Sequence, residues 1–157
     1  MTEMDNKVAI RAKPLRFKNP PIVEAVIFFE VATLPGSAID DFQANSEAMR
    51  SEGYELPEPV TKHELEIRID GITSSLGGKG SSPHGLKFKT ADGLYAVQFN
   101  RDGFVFSRLE RYETWEAFRS ECKKIWQIYS AASGVADVKS YGVRYINKLY
   151  IDRKSVV

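Results

Sequence analysis

Cysteine is almost absent from this chain. Cys122 is the single one among 157 residues, so no disulfide can close within the chain, and a disulfide-stapled secreted scaffold is excluded. Histidine is nearly as scarce, with only His63 and His84. Neither has a cysteine or carboxylate at metal-ligand spacing, so no metal site is expected. No apolar run approaches the roughly 20 residues needed to cross a bilayer as a helix. The opening MTEMDNKVAIRAKPLRFKNPP lacks the apolar stretch of a signal peptide, and a cytoplasmic location is expected. Charge of one sign is also lacking: 22 Lys and Arg against 21 Asp and Glu leave a net +1, which gives no pull toward nucleic acid or an anionic membrane.

Catalytic signatures are missing too. There is no G-x-S-x-G elbow. The Gly/Ser-rich stretch Gly71–Gly85 invites a phosphate-binding reading, but Lys79 is followed by Gly80 rather than Ser or Thr. The next segment reads as a strand, so no helix N-terminus would face a phosphate. His84 falls in this loop. Asp40 and Asp41 read as acids at a helix start, and Asp92 and Asp102 as turn residues. Cys122 lies among apolar helix residues and reads as a buried structural thiol. No cofactor is expected.

What the chain has is apolar pattern. Hydrophobic residues make up 43% and aromatics 11%, and the length suits one domain that buries roughly 70% of its unfolded surface. Residues 1–21 read as an extended basic arm ending in Asn19-Pro20-Pro21, residues 22–151 as one domain, and 152–157 as a tail. In the arm, Lys7, Arg11, Lys13, Arg16 and Lys18 outnumber Glu3 and Asp5, but only Phe17 interrupts them, which argues against a nucleic-acid arm.

Ile22–Val31 is rich in β-branched and aromatic residues and predicts a strand. Val23, Ala25, Ile27, Phe29 and Val31 form one face; Ile22, Val26 and Phe28 make the other mostly apolar, so the strand should be central. Ser37 is expected to cap a helix to about Glu52. Thr61–Asp70 alternates as a strand with His63, Leu65, Ile67 and Ile69 inward. Strands over 86–90, 94–99 and 104–109 are joined by turns ending in Asp92-Gly93 and Asp102-Gly103, a strong hairpin signal. From Thr114 to Ala132, residues Trp115, Phe118, Cys122, Ile125, Trp126 and Tyr129 recur at helical spacing. Thr114 is the expected N-cap and Gly134 the stop. Ser140–Ile151 is the last strand.

The order β-α-β-β-β-β-α-β predicts an α+β two-layer sandwich: a mainly antiparallel six-stranded sheet with two helices on one face. A few polar residues break the apolar strands: Glu24, Arg108, Arg144 and Asn147, with Gln98 a milder case. A charge in a buried strand is costly unless paired. One reading is an internal ion pair of Glu24 with Arg144 or Arg108. The other is a polar cradle on the sheet face opposite the helices, its arginines holding a carboxylate or phosphate, with Tyr112 at the rim.

NPPIVEAVIFFEV, DGLYAVQFNRDGFVFSRLERYETWEAFRSECKKIW and YGVRYINKLYI, in that order, resemble a sporadically distributed family of uncharacterised prokaryotic proteins. The resemblance runs over about residues 19–151. It implies no activity and no catalytic residues. Its members usually continue into a further C-terminal region, so the chain is similar to their N-terminal part. Three functions stay open: a non-catalytic, self-associating interaction module, which is favoured; a binder of, or enzyme acting on, a small anionic ligand in the arginine cradle; and a nucleic-acid-binding protein. The expected partners are a second copy in a homodimer, through the sheet face or an edge strand, and possible unknown protein partners, with no membrane.

Overall fold

The computed structural model describes residues 21–61, 82–135 and 137–149. The basic arm, most of the expected strand Thr61–Asp70 with His63, most of the loop Gly71–Gly85 and the last residues of the expected final strand lie outside these. The described elements are β1 (Ile22–Glu30), α1 (Ala38–Ala44), α2 (Ser46–Ser51), β2 (Glu58–Thr61), β3 (Pro83–Lys89), β4 (Tyr95–Asn100), β5 (Gly103–Leu109), α3 (Trp115–Ser133) and β6 (Ser140–Asn147). They form the expected α+β sandwich, one six-stranded sheet in the order β2-β3-β4-β5-β1-β6. Every neighbouring pair is antiparallel.

β3, β4 and β5 form a meander because Asp92-Gly93 and Asp102-Gly103 turn the chain back each time. β1 then enters between β5 and the last strand, β6. That interior place fits a strand apolar on both faces. A register irregularity in its pairing with β6 falls between Ile22 and Glu24. Ile22 thereby packs against the core cluster while Val23 stays 38% exposed. The faces expected for these two residues are therefore exchanged, because the extra residue resets the two-residue period.

The helices cover one face. From the strands, Ala25, Ile27, Leu86, Phe88, Val97, Phe99, Phe104 and Phe106 meet Phe42, Met49, Phe118, Cys122, Ile125 and Tyr129 from the helices in one buried cluster. Rings of Phe99, Phe104 and Tyr129 lie 5.3–6.0 Å apart in tilted or edge geometries, the arrangement that aromatic quadrupoles favour. The Tyr129 hydroxyl donates to the Asn100 carbonyl oxygen at 2.9 Å. Burial pushes that phenol well above its ordinary pKa, so it stays a donor.

α3 starts and stops where the sequence predicts. Thr114 is extended (φ −141°, ψ 154°) and its Oγ1 accepts the Ala117 amide at 3.2 Å. Gly134 takes the left-handed conformation (φ 67°) that ends many helices, and its amide closes on the Ser130 carbonyl oxygen. Trp115 departs from expectation: it is 38% exposed, one turn before the buried Phe118. The expected single helix Ser37–Glu52 is two. Asn45 breaks it, its Nδ2 donating to the Asp41 carbonyl oxygen at 2.8 Å. Such a side chain competes with the helix for backbone partners. Ser37 makes no side-chain cap.

Candidate functional site

The polar residues singled out in the strands divide between the two faces of the sheet. Arg108 follows Phe104 and Phe106 at two-residue spacing, so it points to the helix side. There it is 7% exposed, its guanidinium lies 4.5 Å from the centroid of the Tyr95 ring, and its Nη2 donates to the Arg111 carbonyl oxygen at 3.1 Å. This arginine braces the corner after β5, where Glu110 and Arg111 hold φ values of 51° and 45°. Two successive non-glycine residues in that region cost energy and need surrounding support. A cation on an aromatic face and a carbonyl oxygen compensate the buried charge.

Glu24 and Arg144 are on the other side. Glu24 pairs with Leu109 and Ile146, and Arg144 with Val26, so the two are diagonal neighbours on the open face. The ion pairs among the described residues join neither to the other, nor Glu24 to Arg108. Asn147 pairs with Ile22 beyond the irregularity and is exposed. Tyr112 lies with Arg108 on the helix side. The expected cradle is therefore corrected: its arginines occupy opposite faces of the sheet. The open face is mixed in character: Glu24, Lys87, Lys89, Gln98 and Ser107, together with Ala96, Val105 and Leu109, line a shallow dip of about 100 Å³ on it.

A row of exposed apolar side chains lies at the sheet margin on the helix side. Tyr141, Val143 and Tyr145 pair with Phe29, Ile27 and Ala25 and share their face. α3 covers β1 but stops short of β6. Tyr141 is 78% exposed, Val143 44% and Tyr145 40%. Between α3 and β6 runs a cleft of about 340 Å³, walled by Trp115, Cys122 and Trp126, floored by Ile27, Phe29 and Val143, and also lined by Arg119 and Lys123 of α3. Trp126 meets Phe29 and Phe104 edge-on, at 4.7 and 5.4 Å between centroids. At one end Tyr145 is held by Tyr112, hydroxyl to hydroxyl at 3.2 Å with rings near perpendicular. Partial burial, then the Tyr145 hydrogen bond, raises the Tyr112 pKa well above the phenol range. The Cys122 thiol on the wall is pushed up to about 12 by burial, so it is no nucleophile at neutral pH.

The backbone of β6 is available as well. The Glu110 amide donates to Val23 O, and the Val31 amide to Asp102 O, each at 3.0 Å. Odd-numbered residues of β1 thus bond toward β5. By antiparallel alternation the even-numbered ones bond toward β6, through Ser140, Gly142, Arg144 and Ile146. Tyr141, Val143 and Tyr145 are left with N–H and C=O groups turned to an edge that no other described strand pairs with. Two-residue alternation puts these three side chains on one face, and the position of α3 decides that this face is left uncovered.

One titratable pair was missed. His84 belongs to β3, not to a loop; it is buried, and its Nε2 lies 2.8 Å from Asp102 Oδ1 in the β4–β5 turn. The pair ties two sheet corners together, and no nucleophile is hydrogen-bonded to it among the described residues. Among those residues no group of three or more His, Cys, Asp and Glu gathers to hold a metal, and no helix is long and apolar enough to cross a membrane. Comparison with family models, with characterised proteins and with solved structures gave no match.

Proposed function

We propose that the protein is a non-catalytic interaction module that self-associates along the β6 edge. One observation carries this reading: exposed Tyr141, Val143 and Tyr145 flank an apolar cleft on the same strand whose outward backbone groups are unpaired among the described residues. Natural sheet edges are usually blunted by proline, by several charges or by very short strands. β6 is eight residues long, SYGVRYIN, with no proline and one charge, Arg144. A second copy satisfies the backbone groups and removes apolar area from water together, and two-fold dimers are the commonest assemblies. The cradle for a small anion has less support, since Arg108 is committed to Tyr95 and Arg111 and faces away from Arg144.

Sedimentation velocity over a concentration series tests this. The wild-type chain should run as a concentration-dependent dimer. Val143→Asp places a charge at the centre of the exposed strip and should run as a folded monomer. A wild-type protein that stays monomeric at every concentration overturns the proposal.

A further inference from the structure

We infer that two copies join β6 to β6 in a single register, antiparallel and centred on Val143, so that the two sheets become one. The inference rests on the self-association proposed above and adds how the strands align. Three constraints select the alignment.

The first is hydrogen-bond parity. Tyr141, Val143 and Tyr145 turn their peptide groups outward, so an odd-numbered residue must face an odd-numbered one. Any two-fold pairing of odd with even leaves outward groups facing inward-bonded ones. The second constraint is overlap. With Val143 opposite Val143 of the second copy, Ser140 faces Ile146 and Tyr141 faces Tyr145, and only Asn147 falls outside the paired span of Ser140–Asn147. Centring on Gly142 pushes Tyr145, Ile146 and Asn147 past the partner's strand.

The third constraint is charge. Centring on Arg144 gives equal overlap but sets Arg144 directly against Arg144 of the second copy, a like-charge cross-strand pair. Centring on Val143 instead sets Arg144 opposite Gly142. That glycine is already unusual. A Cβ there would lie 2.5 Å from Cζ of Phe28, whose ring covers it from the neighbouring strand. Phe28 is 41% exposed on the open face. In a non-hydrogen-bonded pair the Cα atoms come to about 4.5 Å, and the side chain of Arg144 from the second copy passes over Gly142, where the Phe28 ring lies in place of a Cβ. Its guanidinium reaches the exposed rim of the Phe28 ring, a cation–π contact. One register thus accounts for the strand glycine, the exposed phenylalanine and the lone edge arginine. On the helix side it sets Tyr141 against Tyr145, a favourable aromatic cross-strand pair.

Cysteine cross-linking tests the register, with sedimentation of the same samples reporting association. In a Val143-centred dimer the two Val143 Cα atoms are about 5.5 Å apart, within the roughly 4.4–6.8 Å that a disulfide spans. Val143→Cys should form a covalent dimer under mild oxidation, and Arg144→Cys should not; Cys122 is buried and does not compete. Cross-linking through position 144 and not 143 overturns the register while self-association stands. A wild-type dimer in which neither variant cross-links overturns edge pairing through β6. A monomeric protein that cross-links at neither position overturns the register and the self-association beneath it.

Discussion

The middle of the sheet and its β6 margin are built from the same kind of residue in the same phase, yet they meet different fates. Phe104 and Phe106 on β5 and Tyr141, Val143 and Tyr145 on β6 all face the helix side. The first two are fully buried, and the last three are between 40% and 78% exposed. The strand pattern is equally apolar in both. The difference is one of reach: α3 crosses over β5 and β1, and among the described residues β6 is left uncovered. An apolar face marks a strand that must be covered; what covers it, a helix of its own chain or another molecule, is decided by the number of strands each helix spans.

That contrast can be broken most forcefully at the centre. Phe104→Ala removes a ring packed against Phe99, Tyr129 and Trp126, and should cost about 3–5 kcal/mol in chemical denaturation. Tyr141→Ala at the margin should move the midpoint of the monomer by no more than about 0.5 kcal/mol, as an exposed site does. Equal costs would mean that the margin is covered within one chain.

A smaller effect separates the two tyrosine hydroxyls. Tyr129→Phe leaves the buried Asn100 carbonyl oxygen without its donor, which should cost about 1–2 kcal/mol. Tyr145→Phe removes a hydroxyl whose partner, Tyr112, can turn to water, and its denaturation midpoint should be nearly unchanged. A large loss for Tyr145→Phe alone would show the margin to be as closed as the core.

Much of this architecture was legible in the residues. Asp-Gly pairs between alternating runs fixed two hairpins, and Thr114 and Gly134 bounded α3, because turns and caps depend on local chemistry. The two-sided apolar pattern of β1 placed it inside the sheet. The arginine cradle went wrong for a different reason. Period two puts Arg108 with Phe104 and Phe106, so its side was readable within β5. Its relation to Glu24 and Arg144 depended on register between strands far apart in sequence. Trp115 fits the helical stripe of α3 but lies at its margin, and only the position of the helix over the sheet decides that it is exposed. Asn45 ends α1 by a side-chain bond that no periodicity reports.

The most direct measurement is amide hydrogen exchange along β5 and β6 as a function of protein concentration. Exchange reads local protection residue by residue. The amides of Phe104 and Phe106, each inside the sheet, should be protected to the same degree at all concentrations. Those of Tyr141, Val143 and Tyr145 should exchange fast in dilute solution and slow together as the protein associates. Fast exchange at those three residues at every concentration would contradict edge pairing through β6, and protection that never varies would mean the edge is closed within the chain itself.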